Sequence, residues 1–167
     1  SNLKGFFNII DLSKLFKIEK FLFASSSSVY GTQEKYPTDE KSITDKPLSL
    51  YAATKKSNEL IAYSYFNIYG FKSISLRFFT VYGPYGRPDM ALFKFTRNIL
   101  ENKKIELYNN GNHDRDFTYI DDITDGIYSL IKKPKKNNIP YNIFNIGNGN
   151  SRKLKDYLHA IEKKLGR

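Results

Sequence analysis

The chain has 167 residues, with 27 Lys and Arg against 17 Asp and Glu, and so a formal net charge of +10. A 40% hydrophobic content with 13 Phe and 13 Tyr excludes disorder over most of the chain, because those rings would have to stay in water. No apolar run approaches the roughly 20 residues of a bilayer span, and cysteine is absent, which excludes disulfides and thiol chemistry. The opening Ser1-Asn2-Leu3-Lys4-Gly5 does not read as a signal peptide, and a cytoplasmic location is expected. The basic charge is dispersed Lys. Its tight clusters are Lys132-Lys133-Pro134-Lys135-Lys136, which reads as a solvated connection, and Lys163-Lys164, which reads as a helix end. A nucleic-acid partner is not expected, since such binders group their cations with stacking aromatics.

In chain order, residues 2–17 predict a helix, with Leu3, Phe6, Phe7, Ile10, Leu15 and Phe16 at spacings near three and four. Lys20 to Ala24 is a short apolar run of the buried, parallel-strand type and leads straight into Ser25-Ser26-Ser27-Ser28. A looser stretch with Pro37 and Pro47 follows. Tyr51 to Tyr69 is a helix with Leu60, Ile61, Ser64, Tyr65 and Ile68 on its inner stripe and Gly70 as C-cap. Ser73 to Phe79 is the next strand, and Tyr82 to Pro88 a turn-rich loop.

Met90 to Asn102 predicts a helix, Ile105 to Tyr108 a strand, and Asn109 to Asn112 a turn. Asp116 to Ile120 is extended. Asp121 or Asp122 can cap a helix running to Ile131. Tyr141 to Ile146 is a strand closed by Gly147, and Ser151 can cap a last helix to Leu165. Alternating helices and strands define an α/β chain with a parallel sheet. No G-x-G-x-x-G phosphate turn occurs, although an open sheet of this kind normally begins with one.

Ligands of such sheets sit beyond the carboxyl ends of the strands. Two such ends are legible: Ser25 to Ser28, and Thr80-Val81-Tyr82. The serine run could be a linker, but a linker rarely follows a strand so tightly. Tyr51 and Lys55 stand at i and i+4 on one helix face. A phenol is a poor base at neutral pH, and a nearby ammonium favours the phenolate. Such a pair can take a proton from a substrate hydroxyl. The spacing alone is not decisive, because Tyr128 and Lys132 repeat it. Tyr51 differs in opening a helix 25 residues after Ser26. His113 and His159 have no second ligand at metal spacing, so no metal site is expected. Asn145-Ile146-Gly147-Asn148 reads equally as a strand end near a nucleotide pocket or as a structural turn.

The segments Phe21-Leu22-Phe23-Ala24-Ser25-Ser26-Ser27-Ser28-Val29-Tyr30-Gly31, Tyr51-x-x-x-Lys55, Leu76-Arg77-Phe78-Phe79-Thr80-Val81-Tyr82-Gly83-Pro84 and Arg115-Asp116-Phe117-Thr118-Tyr119-Ile120-Asp121-Asp122 occur in that order. Together they resemble the extended short-chain dehydrogenase/reductases that modify nucleotide sugars. Within that family, Gly86-Arg87-Pro88-Asp89-Met90-Ala91 makes the chain look most like the UDP-glucuronate 4-epimerases of capsule and cell-wall polysaccharide synthesis. The related 4,6-dehydratases carry Thr-Asp-Glu where Ser26-Ser27-Ser28 stand. Hydroxyls without a carboxylate argue against dehydration, and the lack of Glu at position 28 argues against the related decarboxylases.

The resemblance implies a set of roles. Tyr51 would be the general base on the sugar 4-hydroxyl, Lys55 would tune it and bind the nicotinamide ribose, and Ser26 would orient that hydroxyl. NAD would be the cofactor, met also by Ala24 and Ser25, and a 4-keto sugar the intermediate. Ser27, Ser28 and Thr80 would hold the sugar carboxylate, with Arg87 and Arg115 as further substrate contacts. A guanidinium fork suits the diphosphate for Arg115, and a surface salt bridge is the alternative for either Arg. The fold implied is part of a Rossmann-like parallel sheet with its helices (residues 1–80 and 119–147) plus part of a smaller substrate-binding region (81–118 and 148–167).

A homodimer through the first helix and the Tyr51 helix is implied for the full-length form. Roughly 90 residues carrying the first strands and the Gly-rich turn would precede Ser1, and the C-terminal end looks short. Weak NAD binding and little activity are therefore expected of these residues alone. The alternatives are a UDP-glucose/galactose 4-epimerase or another nucleotide-sugar enzyme of the same fold, and a non-catalytic remnant that binds a nucleotide sugar or a partner.

Overall fold

The computed structural model describes residues 2–33, 36–132 and 141–167, with Tyr108 described by its main chain only. Residues 133–136 of the expected lysine-rich connection lie outside the described residues. The chain divides into two compact units: residues 1–79 with 126–146, and residues 80–125 with 147–167.

The first unit holds a parallel sheet of β1 (Phe21–Ser26), β2 (Ser73–Phe78) and β5 (Tyr141–Ile146), in the order β1-β2-β5. Phe21 pairs with Ser73 and Ser26 with Phe78, while Phe78 pairs with Ile146, so all three carboxyl ends finish at one level. Helices α1 (Asn2–Leu15) and α2 (Leu50–Tyr69) pack together. Phe6 of α1 meets the rings of Phe21 and Phe23, at 6.0 and 4.9 Å between centroids. Ile10, Phe23, Ala62, Tyr65 and Phe71 form the core. Gly70, at φ +65°, ends α2 and returns its N–H to the carbonyls of Tyr65 and Phe66, which a residue without Cβ does cheaply.

The inner stripe of α2 is rotated from the one its apolar residues predict. Ala52, Asn58, Glu59, Ala62 and Tyr65 are buried, whereas Leu60 and Ile68 are exposed. The rotation follows from a buried charge: Glu59 faces inward because Arg77 meets it there. In α1 likewise Leu3, Phe7 and Leu15 are exposed, as is Phe16 just beyond it, and Ile10 carries the burial.

The second unit holds the three-stranded sheet β3 (Thr80–Tyr82), β4 (Asp114–Tyr119) and β6 (Ser151–Lys153). Strand β3 runs parallel to β4, and β6 antiparallel to it. Helices α3 (Ala91–Leu100) and α5 (Leu154–Leu165) pack on each other. Their core is Phe95, Phe117 and Leu154, with Ile105 and Leu107 packed against it. Residues 105–107 form no strand, because Ile105 and Leu107 bury themselves on this core without a ladder partner; a 3-10 turn at Tyr108–Gly111 follows.

Two expected helix caps also differ. Ser151 pairs with Asp116 in the β4–β6 ladder, and α5 starts from Lys153 with no side-chain cap. Helix α4 (Ile120–Lys132) begins two residues earlier than a cap at Asp121 allows, so Asp121 and Asp122 lie in its first turn, where carboxylates suit the dipole. Among the described residues, no helix is long and apolar enough to cross a membrane.

Candidate functional site

The serine run starts as strand and ends as turn. Ser25 is the last buried position of β1, and its hydroxyl donates to Glu59 Oε1 at 2.6 Å. That hydroxyl is committed to the interior. Ser26 closes the strand and caps the short 3-10 turn Ser27–Tyr30. Its Oγ accepts from Ser28 N–H at 3.2 Å and from the Ser28 hydroxyl at 2.8 Å. Both lone pairs of a hydroxyl are then used, and its own proton remains to be donated. The turn closes at Gly31, with φ +59°, where a Cβ would lie 2.4 Å from the Lys46 carbonyl oxygen.

Helix α2 supplies the other half. Ser49 caps its start by accepting from Ala52 N–H at 3.1 Å. Tyr51 stands in the first turn with its ring half exposed. Lys55, one turn on, donates to the main-chain oxygen of Ala24 at 2.9 Å and lies 5.8 Å from the Tyr51 ring centroid. Burial pushes the Lys55 ammonium below its ordinary value. Ala24, Ser26, Ser28, Tyr51 and Lys55 thus belong to one unit, at the end of β1 and the start of α2.

Thr80, Arg87 and Arg115 belong to the second unit. Thr80 and Arg115 line a cleft of about 750 Å³ together with Pro88, Met90, Ile105 and His113. Thr80 also borders a more apolar cleft of about 570 Å³, where Arg87 lies with Tyr82, Phe93 and Tyr157. The Arg87 guanidinium forms a fork with Asp89, which holds the Asp89 carboxyl below its usual range. Asp116, beside Arg115, accepts from the N–H groups of Asn148 and Gly149 at 2.9 and 2.7 Å. It thereby folds the turn after β5 onto β4. Among the described residues, no group of three His, Cys, Asp or Glu is placed to hold a metal ion.

Residues behind the serines escaped the sequence reading. Glu59 and Arg77 form a fully buried fork at 2.9 and 2.8 Å. The guanidinium lies 4.7 Å from the Tyr30 ring, and the Tyr30 hydroxyl donates to Asn145 Oδ1 at 2.6 Å. A signal was present: Arg77 sits among apolar neighbours in a central strand, where a cation demands an acid. Glu59 follows Lys55 by one further helical turn.

The chain belongs to the NAD dependent epimerase/dehydratase family, whose pattern matches residues 1–147. It is 49% identical to Protein CapI of Staphylococcus aureus over 181 aligned positions, which cover 100% of this chain and 54% of that protein. It is 42% identical to the probable UDP-glucuronate 4-epimerase of Rhizobium meliloti, over 100% of this chain and 53% of that one. The fold superimposes on the UDP-glucuronic acid 4-epimerase of Bacillus cereus, solved with UDP-glucuronic acid and NAD, with a TM-score of 0.93 at 34% identity. That match covers 100% of this chain and 52% of the other. The chain therefore spans about half the length of the curated relatives it matches.

Proposed function

We propose that the full-length protein epimerises a nucleotide sugar at C4 with NAD, interconverting UDP-glucuronate and UDP-galacturonate. The observation that carries this reading is the Lys55–Ala24 bond, which moors the helix bearing Tyr51 to the strand that ends in Ser26. Tyr51 takes the proton of the sugar 4-hydroxyl and later returns it. Ser26, whose own proton neither bond to Ser28 uses, holds the same oxygen. An ammonium can make three hydrogen bonds. Lys55 spends one on Ala24, which leaves protons for the vicinal hydroxyls of a ribose, so the donor set here suits the nicotinamide end of the cofactor. NAD, held by Lys55 and the main chain near Ala24, would supply the hydride acceptor and donor for C4.

The residues of the first unit are read as the catalytic part of the dinucleotide domain, with 126–146 completing their sheet. Residues 80–125 and 147–167 are read as the substrate region. There Arg115 suits a diphosphate, and Arg87 and Thr80 are further substrate contacts; in the first unit Ser27 is read as a donor to the sugar carboxylate, and Ser28, whose hydroxyl donates to Ser26, as a further contact of the sugar. The absence of an acid in Ser26-Ser27-Ser28 favours epimerisation over water loss. A homodimer through α1 and α2 and a cytoplasmic location belong to the same reading; it is supported by exposed Leu3 and Phe7 on α1 and Leu60 and Tyr63 on α2.

The test is turnover of UDP-glucuronate by the full-length protein, followed by chromatography of the two UDP-uronates. Tyr51→Phe should lower kcat by about 10²–10⁴-fold, the usual range for a proton-transfer residue. Normal turnover by Tyr51→Phe would defeat the mechanism. Faster turnover of UDP-glucose than of UDP-glucuronate would move the substrate to a neutral sugar.

A further inference from the structure

We infer that the buried Glu59–Arg77 pair is a positioning device that sets the height of Tyr51 relative to Ser26. The inference rests on the catalytic reading of those two residues and adds residues to it. Tyr51, Lys55 and Glu59 recur every four positions along one stripe of α2. Lys55 bonds the main-chain oxygen of Ala24, and Glu59 bonds the hydroxyl of Ser25. Two successive turns of the helix are thus tied to two successive residues of β1, immediately before Ser26. A helix slipped along the strand would break both ties at once.

Arg77 holds the carboxylate that makes the second tie. Its Nε and Nη2 take one Glu59 oxygen each, while Oε1 also accepts from Ser25 and, at 3.4 Å, from Ser75. Of the remaining contacts of Arg77, one reaches the turn that Ser26 caps and the other the loop that follows it. Nη1 donates to the Glu40 carbonyl at 3.3 Å, and the guanidinium face meets the Tyr30 ring. One charged pair therefore touches β1, β2, α2 and the Ser27–Tyr30 turn. Stability alone is a poor reason for such a pair, because apolar replacements of buried ion pairs are often neutral or better. Fixing a geometry is a better reason, since a fully satisfied network of directional bonds rigidifies its surroundings.

Glu59→Gln and Ser25→Ala in the full-length protein test this. Kinetics are expressed per folded, NAD-loaded molecule, so that lost protein does not count as lost catalysis. Glu59→Gln should lower kcat by about 10-fold to 10²-fold, the scale of a misplaced reacting group. KM for the nucleotide sugar should stay within roughly twofold, because no substrate contact is removed. In a Tyr51→Phe background the same substitution should lower the residual rate no further. Arg77→Lys, which keeps the charge and loses the fork, should fall between wild type and Glu59→Gln. Should Glu59→Gln fail to fold, Ser25→Ala carries the test, with an expected kcat loss of about 3-fold to 10-fold.

Unchanged kcat in Ser25→Ala, unchanged kcat in a folded Glu59→Gln, or equal losses with and without Tyr51 would each overturn the inference. Loss in Tyr51→Phe without loss in either positioning variant removes this inference alone. Normal turnover by Tyr51→Phe removes the catalytic reading and this inference with it.

Discussion

The Lys55 ammonium donates to the main-chain oxygen of Ala24 at 2.9 Å, which joins a helical side chain to the end of a parallel strand. The bond brings a cation into partly dry surroundings, and burial lowers its affinity for protons. Lys55 should therefore lose its proton before the surface lysines as pH rises. Resolved lysine side-chain NMR signals, assigned by Lys55→Arg, would show this. The sign for stability follows. Between the lowered folded value and the ordinary 10.5 the unfolded chain holds more protons, so this residue's contribution rises with pH across that window. It is lost again as pH falls through the folded value. A Lys55 that titrates with the bulk of the lysines would contradict the burial of its ammonium.

Ser49 stabilises the turn that carries Tyr51. Its hydroxyl satisfies Ala52 N–H, one of the donors that a helix start leaves unpaired. Ser49→Ala should cost about 0.5–2 kcal/mol in denaturant unfolding. Fraying is confined to the first turn, so amide exchange should speed up at residues 51–53 while the end of α2 near Gly70 keeps its protection. Uniform acceleration along the helix would mean that the cap serves the whole fold instead.

How much of this was legible depends on the kind of signal. The strand Phe21–Ser26, the helix from Leu50 to Tyr69 and its Gly70 cap follow local rules, apolar runs and a residue that tolerates positive φ, and these were readable within a residue or two. Ser26, Tyr51 and Lys55 were readable as an ordered set of motifs. What could not be read depends on partners distant in sequence. Glu59 rotates the inner stripe of α2 only because Arg77, 18 residues on, neutralises it. Ile105 and Leu107 look like a strand by composition, yet they find burial without a ladder. Ser151 looks like a cap until Asp116 claims it as a strand partner. Periodicity describes what one segment wants, whereas the buried charge and the β6 pairing are decided between segments.

Gly83 occupies a position that a side chain cannot share. Its φ is +143°, and a Cβ would lie 2.5 Å from Ile120 Cγ2. Gly83→Ala should destabilise the second unit by about 1–3 kcal/mol through backbone strain, with the clash added to that. Adding Ile120→Ala removes the shortest contact and leaves the strain and the tight approaches to Ile120 Cβ and Tyr119, at 3.1 and 3.2 Å, so the double variant should recover part of the loss beyond its own cavity cost. Thermal unfolding of the two single variants and the double would separate the terms; strict additivity would show that Ile120 is not what Gly83 avoids.

Phe117 and Tyr157 pack ring on ring, with centroids 3.8 Å apart, and Phe117 is buried in the core of the second unit. Phe117→Ala should cost about 3–5 kcal/mol, as expected for truncating a buried aromatic. The same packing affects a titration. Burial, with Tyr82 beside it, pushes the Tyr157 phenol up to about 12 from 10.0. A folded value above the unfolded one means that the contribution is fully present below about pH 10 and is lost as pH rises through 12. Absorbance at 295 nm should therefore show Tyr157 ionising late, and Tyr157→Phe should delete that late step. Partial opening by Phe117→Ala should move the step toward 10, even in molecules that remain folded. A step that stays put in Phe117→Ala would mean that Tyr82, rather than the lost ring, keeps the phenol neutral.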